Sequence, residues 1–178
     1  MNVLAVVGGL PGTGKSTVSS ILARRTATPY LRVDRIEQAI VAWSSLRHPV
    51  GPAGYAVAHG LASEQLLIGL DVIVECVNPS AVTRDGWLGT AAAAGAVVLE
   101  VELVCSDPAE HRRRVLGRAT DVEGLTKPTW TSVVDRSYEP WSRRPLVIDT
   151  ATTTPDTAAE QIAAALEGVR AQTAERAG

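Results

Sequence analysis

The chain has 178 residues, 46% of them hydrophobic, which is enough for one substantial core and short of what two full domains usually need. Its formal net charge is −2, so it lacks the broad electropositive field with which polynucleotide binders displace counterions, although a mononucleotide remains an acceptable partner. The opening MNVLAVVGGLPG has no basic lead, no small-residue cleavage site and too short an apolar run to cross a bilayer, and it reads as the first strand of a cytoplasmic fold.

That strand covers residues 2–7 and runs into GGLPGTGKST. Gly9, Leu10, Pro11, Gly12, Thr13, Gly14, Lys15 and Ser16 satisfy G-x-x-x-x-G-K-[ST] at every fixed position, with a strand before the motif and a helix, 15–25, after it. Glycines allow successive backbone N–H groups to turn inward as an anion nest, and the helix start adds its positive dipole end. The motif assigns Lys15 to the β- and γ-phosphates of ATP or GTP, Ser16 to Mg²⁺, and leaves Thr17 an accessory polar contact.

Downstream, a short strand at 30–33 leads through Asp34 into a helix over 35–43. A carboxylate one strand-helix unit after the phosphate loop can take the proton of an attacking hydroxyl, and Asp in that place can equally cap a helix. Irregular SSLRHPVGPAGY precedes a helix over 55–68; strand 71–77, helix 80–94, strand 97–104 and helix 108–119 follow. Glu100 and Glu102 give the fourth strand a period-two pattern that suits an edge or a polar contact. A second irregular stretch, ATDVEGLTKPTWTSVVDRSYEPWSRRP, reads as a nucleotide lid; strand 145–148 and a helix over 155–174, capped by Thr154 with Pro155 in its first turn, end the chain. Strands alternating with helices imply an α/β fold with parallel strand-helix-strand units. Cys76 and Cys105 lie in apolar runs outside any Cys-x-x-Cys pattern and read as buried thiols of a reducing compartment.

No N-K-x-D guanine motif is present, which argues against a GTP switch, and a large motor or AAA+ ATPase needs more chain and a second acidic motif of the D-E type, where VIVEC has one carboxylate. A small kinase is the expectation that remains. GLPGTGKST, LRVDRIEQAI, DVIVECVNPSAVTRDGW and HRRRVLGR together resemble the small P-loop kinases that include chloramphenicol phosphotransferase, adenylylsulfate kinase, gluconate kinase and the 5'-kinase domain of polynucleotide kinases. The resemblance implies a three-layer P-loop NTPase fold over the whole chain as a single domain. It implies a five-stranded parallel sheet of order 2-3-1-4-5 flanked by helices, and a mobile lid near residues 112–140.

Residue by residue, Val33-Asp34-Arg35-Ile36 is similar to the V-D-x-h segment that carries the proposed catalytic Asp of chloramphenicol phosphotransferase, so Asp34 inherits that role. Arg35 becomes a substrate-phosphate contact or a solvated helix residue. The D-x-T-N that commonly ends the third strand is here Glu75-Cys76-Val77-Asn78, giving Glu75 to the metal-water shell or the acceptor, with Asn78 beside it. Arg84 either touches substrate or caps its helix. Arg114 and Arg118 match the R-x-x-x-R pair of the lid, and Arg118 with Lys15 would stabilise transferring charge. SYEPWSRRPLVIDT is similar to adenylylsulfate kinases at Tyr138, Glu139, Asp149 and Thr150, with Arg136 a further phosphate clamp. The acceptor itself is expected at residues 48–68, with Trp43, His48, Tyr55 and His59, as a small hydroxyl-bearing molecule such as an antibiotic, another secondary metabolite or a nucleoside. The competing reading is a regulatory nucleotide-binding ATPase with no phosphoryl acceptor.

Overall fold

A computed structural model describes residues 1–117 and 128–177. Its frame is a parallel sheet of five strands, β1 (Val3–Gly8), β2 (Tyr30–Arg32), β3 (Val72–Glu75), β4 (Val97–Val104) and β5 (Leu146–Asp149), in the order β2-β3-β1-β4-β5. This is the order that the resemblance to small P-loop kinases implied. β1 stands at the centre because VLAVVG is apolar on both of its faces, and all six of its residues are buried. It pairs with β3 from Leu4↔Val72 to Val7↔Glu75 and with β4 from Val3↔Val97 to Gly8↔Glu102.

Alternation along β1 divides the core in two. Val3, Ala5 and Val7 pack on α1 (Lys15–Thr26) and α7 (Pro155–Ala177) through Val18, Leu22, Ala158, Ile162 and Leu166. Leu4 and Val6 pack on α3 (Ala53–Leu67) and α4 (Ala81–Ala93) through Ala58, Ala62, Leu66, Trp87 and Ala91. Helices therefore cover both faces of the sheet, and every strand ends at the same carboxyl edge, where ligands of open α/β sheets bind.

Local signals set the helix starts. Ser80 accepts from Thr83 N–H at 3.4 Å while Thr83 Oγ1 accepts from Ser80 N–H at 3.2 Å, a reciprocal cap on α4. Thr154 accepts from Thr157 N–H at 3.2 Å at the head of α7. The second helix, α2 (Val33–Ala42), begins two residues before the expected start; its N-cap is Arg32, so Asp34 lies inside the first turn and is not the capping residue. The remaining helices are α5 (Pro108–Gly117) and α6 (Trp130–Val134), the latter a short turn of helix inside a stretch read as irregular, started by Thr129 accepting from Ser132 N–H at 3.1 Å.

Several sequence expectations change in three dimensions. β4 is interior, between β1 and β5, and Glu100 serves a polar contact instead, accepting from Arg143 Nε at 2.9 Å and Nη2 at 2.7 Å. Cys76 is buried, but Cys105 lies past the end of β4 and is half-buried. His59 stacks on Trp87 with ring centroids 3.8 Å apart, its Nδ1 2.8 Å from Thr90 Oγ1, so it belongs to the α3–α4 contact. Trp43 is 90% exposed at the end of α2.

Arg84 is 2% exposed. Its Nε donates to Asn78 O at 3.2 Å, Nη1 to Pro140 O at 3.1 Å and Nη2 to Glu139 O at 2.7 Å, while its guanidinium carbon lies 4.1 Å from the Trp141 ring centroid. These bonds strap the 138–141 segment to the end of β3, and they use the donors that a substrate contact would need. Arg84→Met should lower stability by at least about 2 kcal/mol, because the carbonyls it satisfies become unpaired. A fall in the thermal midpoint of roughly 5–10 °C is expected for a chain of this length, read by circular dichroism.

Candidate active site

The phosphate loop leaves β1 at its carboxyl end and enters α1. Gly9 takes φ 140°, and a Cβ there would stand 2.3 Å from Leu103 O, so the loop can hug β4 only without a side chain. Gly14, the N-cap of α1, has φ 88°, and the first turn of α1 contains no acidic residue. Its free N–H groups thus face outward with no built-in carboxylate to neutralise the positive end of the helix.

Lys15 is 8% exposed and its Nζ donates to Leu10 O at 2.8 Å, folding the side chain over the loop. Thr13 Oγ1 also donates to Leu10 O, at 2.9 Å. From outside, His111 on α5 holds the loop with Nε2 2.8 Å from Pro11 O, and its ring meets Trp130 edge-on at 5.2 Å between centroids. Because a carbonyl only accepts, that nitrogen carries the proton. Thr150, just beyond β5, places Oγ1 3.0 Å from Thr13 O. Arg114 donates from Nη1 to Thr150 Oγ1 and from Nη2 to Thr150 O, both at 2.9 Å, and from Nε to Glu110 Oε1 at 2.7 Å. Arg113 and Arg114 together hold the Glu110 carboxyl well below the usual range. Arg114 therefore ties α5 to β5 and, through Thr150, to the loop, while still lining the cavity.

Across the loop, Ser16 Oγ donates to Glu75 Oε1 at 2.6 Å. Glu75 is 3% exposed; its other oxygen accepts from Tyr30 OH and lies 3.6 Å from Arg32 Nε. The contacts follow from register, since Glu75 is paired with Val7 of β1 on one side and Arg32 of β2 on the other. Tyr30 and Arg32 escaped sequence reading because nothing in a three-residue strand marks the carboxylate beside it. Asn78 is fully buried with φ 55°, its N–H donating to Tyr55 OH at 3.1 Å; it turns the chain behind Gly8 and does not line the cavity.

The loop and these groups open onto a cavity of about 750 Å³. Besides the loop, Lys15, Ser16, Thr17 and Glu75, it is lined by Arg113, Arg114 and Pro128 and by Val33, Asp34, Glu37, Tyr55, Val77, Pro79, Thr83 and Arg136. Of the four residues expected to cover the acceptor, Tyr55 alone reaches this cavity among the described residues; His48 instead accepts from Gln38 Nε2 at 2.7 Å. Arg35 is exposed and lines a neighbouring groove with Thr17, Tyr30 and Ile36. Arg118 lies outside the described residues. Glu37, one helical turn after Asp34, is a cavity residue that the sequence did not single out, since α2 alone does not say which of its acidic residues faces inward.

Burial raises the Glu37 carboxyl above its ordinary value, and the Asp34 charge adds to this, with His48 and Arg136 opposing. Tyr55 is raised as well, chiefly by burial and then by Cys76.

A family model for an AAA domain matches residues 4–140. The chain belongs to that family. Among solved structures, a candidate kinase from Chloroflexus aurantiacus superposes with a TM-score of 0.75 at 19% identity, over 94% of this chain and 97% of that one. The APS kinase of Mycobacterium tuberculosis, in complex with AMPPNP and APS, gives 0.68 at 23% identity over 93% and 98%. A gluconokinase from Sinorhizobium meliloti 1021 gives 0.62 at 20% identity over 94% and 95%. A comparison with curated proteins finds no match. The fold is thus that of small P-loop kinases.

A raised carboxyl binds its proton more tightly in the folded chain, so the stability Glu37 contributes is full below the unfolded pKa and is lost as pH rises through the folded value. Glu37→Gln should therefore unfold at a higher temperature than the wild type at pH 7.5, and the gap should close as pH approaches 4. Thermal melts at four or five pH values test this.

Proposed function

We propose that the protein transfers the γ-phosphoryl group of ATP to a hydroxyl of a small molecule. The observation that carries the reading is that Asp34, on the first turn of α2, opens into the same cavity as the phosphate loop, Lys15 and the head of α1. A carboxylate that shares a cavity with an anion-binding loop supports this reading, since in-line transfer to a hydroxyl asks for a proton acceptor near the phosphates.

In this reading the loop N–H groups and the start of α1 hold the β- and γ-phosphates, and Lys15 leaves its carbonyl partner to neutralise charge on the transferring group. Asp34 takes the acceptor proton as the new O–P bond forms, while the bond to the β–γ bridging oxygen breaks and ADP departs with that oxygen. Arg113, Arg114 and Arg136 supply fixed or recruitable cations around the cavity. Mg²⁺ fits the donor set: one hydroxyl, Ser16, already paired with one buried carboxylate, Glu75, is the hard-oxygen arrangement that suits an ion bound mainly by phosphate and water. It would screen negative charge at the phosphates, with Ser16 a direct ligand and Glu75 orienting its water.

The likeness to the APS kinase and the gluconokinase supports phosphotransfer as the class, and leaves the acceptor to this chain's own residues. A regulatory ATPase without an acceptor is the alternative, and the product formed by Asp34 variants separates the two. Asp34→Asn should retain ATP binding and lose phosphorylated product by about 10²-fold or more. Lys15→Ala should lower turnover by about 10²-fold. Both are read by ADP release over a panel of hydroxylated metabolites and nucleosides; near-normal transfer in either variant, or no acceptor-dependent ADP at all, defeats the reading.

A further inference from the structure

We propose that Glu37 is a specificity-determining residue of the acceptor site, and that the acceptor it selects is an amino alcohol whose ammonium group lies within roughly 5–6 Å of the hydroxyl that is phosphorylated. This rests on the phosphotransfer reading given above and names the substrate class of the same cavity.

Three carboxylates besides Asp34 stand in or beside the cavity, and they differ in how they are satisfied. Glu75 is bonded by Ser16 and Tyr30 and faces Arg32; Glu110 is bonded by Arg113 and Arg114. Glu37 has no hydrogen bond and no ion pair to any described residue, yet it is half-buried and lines the cavity. The positive groups that act on it, His48 and Arg136, do so from beyond ion-pair distance, and His48 is occupied by Gln38. Leaving a half-buried carboxylate without a bonded partner is costly. α3 meets Glu37 at Gly54, where a Cβ would stand 2.3 Å from Glu37 Cγ and 2.8 Å from Oε1. A larger residue at 54 would require the Glu37 side chain to move, so the α3 contact at Gly54 leaves room for it where it stands.

Spacing then defines the acceptor. Asp34 and Glu37 are three apart on α2 and share its cavity face, with Val33, Val77, Pro79 and Tyr55 forming apolar walls. If Asp34 receives the proton of the reacting hydroxyl, Glu37 meets a group a few bonds away on the same molecule. An anionic group there would add a negative charge to two existing ones; a neutral group would leave Glu37 without a counter-charge. An ammonium group donates to Glu37 and lowers the repulsion between the two carboxylates, and the remaining apolar surface of the acceptor fits the walls.

The test uses matched triplets on hexose, cyclitol and aryl-ethanol skeletons, each with a hydroxyl adjacent to a free amine, to its N-acetyl form, or to a carboxylate, assayed for phosphorylated product at pH 7. The amine member of a triplet is expected to exceed its partners in kcat/KM by about 10-fold or more, the value of one charge-assisted hydrogen bond. Glu37→Gln should remove that preference, with the loss falling on KM, and Glu37→Asp should recover part of it. Turnover confined to N-acetyl or carboxylate members, or a preference that Glu37→Gln leaves intact, overturns the inference while phosphotransfer stands. If ATP binds and no member yields a phosphorylated product, the phosphotransfer reading fails and takes this one with it.

Discussion

The 2.6 Å hydrogen bond from Ser16 to Glu75 joins the first turn of α1 to the end of β3, and the rest of the site is arranged around it. It exists because β1 and β3 are parallel neighbours in a register that sets Val7 opposite Glu75, so the loop leaving one strand passes over the carboxylate ending the other. A one-residue slip would turn Glu75 to the opposite face of the sheet and remove it from the phosphate loop. Val72 and Val74 fill one core and Ile73 the other, so a slip would disturb the packing on both faces of the sheet. The Ser16–Glu75 pair is thus held by the same hydrophobic burial that holds the core.

Around that bond the loop is braced from two more sides. His111 fastens Pro11 from α5, and Thr150 fastens Thr13 from the end of β5. Arg114 connects both braces, so the Pro11 and Thr13 carbonyls are satisfied by protein, while the N–H groups of Ser16 and Thr17 in the first turn of α1 have no helical partner. This division of labour is the electrostatic preorganisation that phosphate chemistry needs, since dipoles already fixed do not have to reorganise during transfer. Another part of the cavity is built differently: Glu37 is disfavoured by burial and by Asp34, and is retained at some cost to stability. Strain of this kind collects where binding or chemistry occurs.

Much of the site could be read in the chain itself because its motifs are local. Gly9 to Thr17 form one continuous stretch, so spacing alone identified the loop; strand-helix alternation implied parallel strands, and the resemblance to small P-loop kinases implied their observed order. Residues that act across the fold were harder. Arg84 and Asn78 sit near the carboxyl edge in sequence, yet one is a buried strap and the other a left-handed turn behind Gly8. Trp43, His48 and His59 belong to the segment expected over the acceptor, but solvent, Gln38 and Trp87 claim them.

By itself the sequence determined that this chain makes a phosphate cradle on a parallel α/β sheet, because both depend on short-range patterns: glycine conformations within a few residues, and apolar period along each strand and helix. Only the tertiary structure decided which polar side chains share the cavity. Glu37 faces it while Glu75 is consumed by Ser16, Tyr30 and Arg32, and Arg114 is engaged by Thr150. Those outcomes depend on register between strands and on the close approach of α3 at Gly54, contacts between residues far apart in the chain that no local pattern encodes.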